Sequence, residues 1–239
     1  MILPKQINPC PINEAVVGIR FDSSLPSDAV FGVVYNQLKD SYQTVQQLPI
    51  LQIPEAVRNN DPNLIFQPYY TLSRENFAIQ LGPKVFSIAI VENYTTWQNF
   101  LNEIQIVFEK IGNIDFITNV SRVGLRYINL FEIDIWEKLK INIKIIEREI
   151  ANEEIFVRTV LQRDEFKVLL QTGNQLNLER NNEFVSRVSI IDIDSFIQED
   201  SINFFENVSA MLEKAHGLEK ELFFGLLKED FLESLNPEY

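Results

Sequence analysis

The sequence predicts an α+β protein of two antiparallel-sheet halves, each with strands followed by an amphipathic helix that packs on one face of its sheet. In several short segments the apolar residues recur at every second position, which is typical of half-buried strands. In two longer segments they recur at spacings of three and four, which is typical of amphipathic helices. Strands lead to a helix twice along the chain, and antiparallel sheets covered on one face by helices satisfy that order.

The first half opens with a predicted strand at 14–21. Its alternate side chains form one apolar face, which consists of Ala15, Val17, Ile19 and Phe21. A helix is expected over about 28–42, with Ser27 as its N-cap. Several prolines and a polar run then indicate a long irregular connection at 45–63.

Short strands follow this connection, at 64–72, 76–81 and 84–91. Gly82-Pro83 separates the last two strands and predicts a hairpin turn. A further strand is expected at 119–130, after the intervening helix.

The clearest helix covers 94–111 and carries a continuous apolar stripe. The stripe consists of Trp97, Phe100, Leu101, Ile104, Val107, Phe108 and Ile111. Asn93 or Thr95 is expected to cap its start, and Gly112 to end it in the left-handed conformation.

The second half repeats the order, with strands predicted at 141–147, 154–162, 165–171 and 183–194. Gly173-Asn174 and Asn181-Asn182 have the composition of turns. A closing helix is expected to begin near Ser201 and to be interrupted near Gly217, and a last helix covers 228–235.

These elements divide the chain into an N-terminal α+β half at 1–130 and a C-terminal α+β half at 131–239. The seam is placed within 131–140, and one continuous domain is the alternative. We find no residue-level repeat between the halves.

The composition excludes most of the common catalytic classes. The chain of 239 residues has one histidine (His216), one cysteine (Cys10) and eight glycines. No phosphate-binding glycine loop, GxSxG, HExxH, CxxC or EF-hand pattern occurs in it. We therefore expect no cofactor.

The formal net charge of -13 opposes generic binding to a nucleic-acid backbone. It suits a basic protein partner, or it simply promotes solubility. One cysteine forms no internal disulfide, the N-terminus lacks the pattern of a secretory signal, and no apolar run is long enough to span a membrane. We expect a cytoplasmic protein that binds a protein partner or forms a homo-oligomer, with no membrane association.

Two segments carry a resemblance: Pro11 to Phe21 (PINEAVVGIRF) and Ser121 to Asn129 (SRVGLRYIN). Together with Tyr94, Trp97 and the run at 191–194, they resemble a sporadically distributed bacterial family that has no assigned function. The resemblance implies an accessory role in a mobile-element or defence setting, such as a toxin–antitoxin or antiphage system.

Arginines form the first candidate site. Arg122 and Arg126 share one face of a predicted strand with Gly124 between them, and Arg20 lies on another strand. Together they can bind a phosphate or a carboxylate, with Gly124 allowing close approach to the backbone. The alternative is that they pair with carboxylates across the sheet, such as Glu14, Glu132 or Asp192.

Asp192 and Asp194 share another strand face and are candidates for a Mg²⁺ or Mn²⁺ site, which needs a third ligand that no spacing supplies. The alternative is a solvated strand face or a partner for the arginines. His216 has no second metal ligand and no partner for general-base catalysis in the sequence, so we expect it to cap or pack near a helix end.

These observations lead to three hypotheses. The first is a non-catalytic interaction protein, an accessory or antitoxin-like component with a protein partner. The second is a small-anion or nucleotide-binding module that uses Arg20, Arg122 and Arg126. The third is a metal-dependent phosphoryl-transfer enzyme centred on Asp192 and Asp194.

Overall fold

The fold was analysed in a computed structural model, which describes residues 3–149, 155–180 and 183–239. The chain forms two compact units, each assembled from separate stretches of sequence. The α3 unit comprises Glu14–Leu125 and Phe196–Glu213, and the α5 unit comprises Met1–Asn13, Arg126–Ser195 and Lys214–Tyr239. The sequence predicted two consecutive halves, at 1–130 and 131–239, and that division stays a prediction.

The predicted fold class is wrong, because nine strands pair into one antiparallel sheet. Strands hold 40% of the chain and helices 31%, so the protein is a mostly-sheet fold and not two strand-and-helix halves. Local periodicity identified most of the strands. It carries no information about which distant strands pair, and the pairing of strands from both halves of the sequence makes one sheet.

In the described residues the sheet order is β2-β3-β4-β5-β1-β6-β11-β10-β9, and β7 and β8 pair separately. The strands are β1 (Ile12–Ser23), β2 (Thr44–Gln47), β3 (Tyr70–Arg74), β4 (Phe77–Leu81), β5 (Val85–Val91), β6 (Ile117–Phe131), β7 (Lys144–Ile145), β8 (Arg148–Glu149), β9 (Ile155–Arg163), β10 (Phe166–Arg180) and β11 (Glu183–Gln198). The helices are α1 (Ser27–Leu38), α2 (Glu55–Asn60), α3 (Trp97–Gly112), α4 (Phe204–Leu226) and α5 (Glu229–Ser234).

In the α3 unit the predicted apolar stripe of α3 is confirmed, and all of its members except Trp97 are buried. Thr96, one residue after the expected Thr95, caps the helix by accepting a hydrogen bond from the backbone N–H of Asn99 at 3.2 Å. Gly112 does not take the left-handed conformation. It lies within α3, where an added Cβ would be 3.1 Å from the Phe205 ring.

Further local predictions in this unit fail, and of the strand predicted at 64–72 only residues 70–72 lie in a strand, β3. Ser27 is inside α1 and is not its cap, since Pro26 precedes the helix and no side chain caps it. The connection predicted to be irregular contains β2, a short 3₁₀ helix (Pro49–Gln52) and α2. The hairpin at Gly82-Pro83 is confirmed, because β4 and β5 pair across it.

In the α5 unit, α5 and the part of α4 after Glu213 cover one face of the strands. The buried cluster consists of Ile7, Phe131, Ile135, Leu139, Val168, Leu170, Ile191, Ile193, Phe223, Phe224, Leu226, Leu227, Phe231 and Leu235. The expected interruption at Gly217 is absent, because α4 continues through it. None of the described helices combines the length and the apolar character needed to cross a membrane.

The predicted turn at Gly173-Asn174 is wrong, because both residues lie inside β10. A Cβ at Gly173 would collide with Leu176 and lie 2.9 Å from Ile190 Cγ2, so glycine serves packing there. Of the strand predicted at 141–147, only the two residues of β7 form a strand. Asn181-Asn182 lies outside the described residues.

Candidate functional site

Each predicted arginine has its own neighbour within its unit. In the α3 unit the Arg20 guanidinium lies 4.4 Å from the centre of the Phe66 ring, and that of Arg122 lies 4.3 Å from the centre of the Phe196 ring. Both are cation–π contacts.

Arg126 instead pairs with Asp192 inside the α5 unit. Its Nε donates to Asp192 Oδ1 at 2.8 Å, and its Nη2 donates to Oδ2 at 2.6 Å. Gln171 adds a third hydrogen bond, from its Nε2 to Asp192 Oδ2 at 2.7 Å. The Asp192 side chain is 4% exposed, so the two-pronged ion pair neutralises a buried charge.

This network engages the Asp192 carboxylate, which the metal hypothesis requires as a ligand. Both Asp192 oxygens accept hydrogen bonds, and Asp194 is half-buried. The described residues contain no group of three His, Cys, Asp or Glu side chains that could hold a metal ion.

Asp192, Gln171 and Arg158 form a row across three neighbouring strands. Gln171 on β10 contacts Asp192 on β11, and Arg158 on β9 lies directly opposite Gln171 in the strand register. Arg158 forms no ion pair with any carboxylate among the described residues. The row therefore ends at the outermost strand with a cation that has no counter-charge among the described residues.

Apolar side chains flank Arg158 on the same face of β9, because strand residues alternate between the two faces. Phe156 is 55% exposed and Val160 is 51% exposed. Val160 lies opposite Leu169 of β10, which is half-buried. We call Phe156, Arg158, Val160, Leu169 and Gln171 the β9 surface.

β9 is also the last strand of the sheet. It pairs with β10 over nine residue pairs, from Ile155 to Arg163, and no described strand pairs with its other edge. Its sequence, IFVRTVLQR, contains two arginines, no carboxylate and no proline. Such an edge presents unpaired backbone N–H and C=O groups to another extended chain.

A second polar cluster lies beneath α4, on the helix-covered face of the α5 unit. The Tyr127 hydroxyl is 3.1 Å from His216 Nδ1, and Glu219 Oε1 accepts a hydrogen bond from the Ser195 backbone N–H at 2.9 Å. Glu219 Oε2 and Ser195 Oγ are buried and have no hydrogen-bond partner among the described residues. His216 lies in the interior of α4, where it contacts Tyr127, so the expected position near a helix end is wrong.

Burial determines how the Glu219 and His216 side chains ionise. Burial away from water raises the pKa of the Glu219 carboxyl well above its usual range, and the nearby Asp194 and Asp192 carboxylates raise it further. The hydrogen bond from Ser195 acts in the opposite direction but is outweighed. Burial lowers the pKa of His216 to about 4, with a smaller contribution from Lys220. Both side chains are therefore held towards their neutral forms.

This cluster lacks the access that catalysis needs, because Ser195 is 0% exposed and Glu219 is 2% exposed. Open grooves occur elsewhere. One of about 580 Å³ in the α5 unit is lined by Phe166 and Leu218 beside the ion pair of Lys214 with Glu165, and one of about 520 Å³ in the α3 unit lies beside Phe205. Neither groove brings a nucleophile together with a base.

The sequence interpretation missed the β9 surface and Glu219. Glu219 had a signal, because it occupies the apolar stripe of α4 at helical spacing between Ala215 and Phe223. The β9 surface had none in the local pattern, since only the pairing order makes β9 an edge strand.

Comparison of the chain with protein-family models and with curated proteins finds no match. The resemblance of the PINEAVVGIRF and SRVGLRYIN segments to a sporadically distributed bacterial family stays a prediction.

Proposed function

We propose that this chain is a non-catalytic, cytoplasmic interaction protein that binds a protein partner through the β9 surface. The observation that carries the proposal is the exposed pair Phe156 and Val160 on a nine-residue strand whose outer edge has no described neighbour. Exposed apolar side chains on a strand edge are typical of a protein-binding surface. The accessory or antitoxin-like role in a toxin–antitoxin or antiphage system remains part of this proposal and rests on the resemblance alone.

The geometry supports this function better than the two alternatives. Anion binding needs the Arg126 guanidinium, which Asp192 already neutralises. A metal site needs the Asp192 carboxylate, which Arg126 and Gln171 already engage.

The test is co-expression with the products of the neighbouring genes, followed by purification and measurement of the molar mass in solution. We expect a stoichiometric complex with one of them. Phe156→Asp should disrupt the complex, because it places a charge in the centre of an apolar contact. Val57→Asp is the matched control, since Val57 is 47% exposed and lies on α2 in the α3 unit. If no neighbouring gene product binds, or if both variants bind as the wild type does, the proposal is wrong.

A further inference from the structure

The β9 surface also indicates the chemistry of the partner. We propose that the partner contributes an extended segment that adds to the outer edge of β9 as a strand and places a carboxylate opposite Arg158. This inference rests on the proposed function and specifies the ligand of the same surface.

The backbone of β9 can pair with an added strand. An added strand satisfies the unpaired N–H and C=O groups of an edge, which supplies affinity but little specificity. β9 offers nine residues without a proline, enough for an extended segment to pair over several residues.

The side chains of β9 indicate the sequence of the added segment. Directly opposed residues of neighbouring strands place their side chains on the same face. The alternation Phe156, Arg158, Val160 therefore fits a segment with an apolar residue, an acidic residue and a second apolar residue at alternate positions. The carboxylate would supply the counter-charge that Arg158 lacks among the described residues.

A second copy of this chain does not suit the edge of β9 as its occupant. Residues 155–163 contain no carboxylate, so a second β9 brings arginines and no counter-charge to the edge. Like charges on opposed strands are destabilising. Arg158 thus disfavours pairing of β9 with a second β9 and favours pairing with an acidic strand. The occupant of the edge is therefore a different protein.

The experiment uses the full chain and a short peptide that alternates Val with Thr and carries Glu, Gln or Lys in place of its central Val. Binding is followed by the NMR shifts of the β9 backbone amides. We expect the Glu peptide to bind most tightly and the Lys peptide least, over a range of about fivefold. Added salt should weaken binding of the Glu peptide more than that of the Gln peptide.

Arg158→Glu should reverse the order of the Glu and Lys peptides. Lys140→Glu makes the same charge change at an exposed residue outside the β9 surface and should leave the order unchanged. Circular dichroism checks that both variants are folded. Equal affinity for the Glu and Lys peptides, an unchanged order in Arg158→Glu, or a wild-type dimer that the same substitution dissociates would each overturn the inference.

The two proposals fail differently. A co-expressed partner that binds the wild type and Arg158→Glu equally well would leave the proposed function intact and overturn the carboxylate assignment. The absence of any complex with neighbouring gene products would overturn the function whatever the peptides do.

Discussion

Each unit holds a glutamate side chain largely away from solvent, Glu103 at 13% exposure and Glu219 buried, and the two are stabilised in opposite ways. In the α3 unit Glu103 accepts a hydrogen bond from the Tyr42 hydroxyl at 2.7 Å and forms an ion pair with Arg74 Nη2 at 2.9 Å. Both of its oxygens have a partner. In the α5 unit Glu219 accepts one hydrogen bond, from the Ser195 N–H, and its second oxygen has no partner among the described residues.

The two sites stabilise a carboxyl group with little solvent exposure in different ways, one with a nearby cation and one by protonation. Glu103 keeps a cation beside it, and the Arg74 guanidinium also lies 5.2 Å from the Tyr42 ring centre and 5.6 Å from that of Phe77. Burial and, to a smaller extent, the hydrogen bond to Glu103 raise the pKa of Tyr42, so the hydroxyl stays a donor. Glu219 has no such cation among the described residues, and its burial favours the protonated form instead.

Removal of Arg74 should therefore have the largest effect. Arg74→Met leaves the Glu103 carboxylate, whose side chain is 13% exposed, without its cation. We expect a loss of about 2 kcal/mol in the free energy of unfolding, below the usual cost for a fully buried pair because Arg74 is partly exposed. Urea denaturation at neutral pH measures it. The double variant Arg74→Met, Glu103→Leu should recover much of the loss, and strictly additive losses would contradict the pairing.

Glu219→Gln should have a smaller effect of opposite sign. Because the pKa of Glu219 is raised in the folded state, its contribution to stability is complete below the unfolded pKa and is lost as the pH rises through the folded pKa. Glutamine keeps an oxygen for the Ser195 N–H and has no charge to bury. We expect the variant to be more stable than the wild type by about 1 kcal/mol at alkaline pH.

The measurement is the unfolding free energy of both proteins across the range from mildly acidic to alkaline pH. The wild type should lose stability relative to the variant as the pH rises. Parallel pH profiles of the two proteins would show that the pKa of Glu219 is the same in the folded and unfolded states. Glu103→Gln is the matched control and should lower stability, because a neutral amide replaces the partner of Arg74.

The sequence could predict most of the longer strands and α3, because each has a periodic pattern of its own. It also supplied the correct partner of Arg126, since Asp192 was among the carboxylates considered for pairing. It could not predict that the two halves form one sheet or that β9 is an edge strand. Both depend on pairing between residues far apart in sequence, and the period of a strand is the same at an edge as at the centre.

Gly173 illustrates the same limit at one residue. A Gly-Asn pair has the composition of a turn, yet Gly173 lies inside β10, where a Cβ would force the Leu176 and Ile190 side chains to move. Strands β6 and β11 carry an ion pair on one face, Arg126 with Asp192, and contribute Tyr127 and Ser195 to the polar cluster on the other face. A one-residue slip would exchange the two sets, so polar groups on both faces fix the register of these strands.

Substitution of His216, on the same helix as Glu219, should have the smallest effect on stability. This effect should appear at acidic pH. The pKa of His216 is lowered to about 4 in the folded state, against 6.5 when unperturbed, so its contribution is present above the unfolded pKa and lost as the pH falls from 6.5 towards 4. His216→Gln retains an acceptor for the Tyr127 hydroxyl and cannot ionise. At neutral pH it should change stability by less than about 1 kcal/mol. Below pH 6.5 the wild type should lose stability that the variant keeps, whereas Tyr127→Phe should retain the acid-dependent loss. An equal acid-dependent loss in the wild type and in His216→Gln would assign that loss to other groups and remove His216 from the comparison.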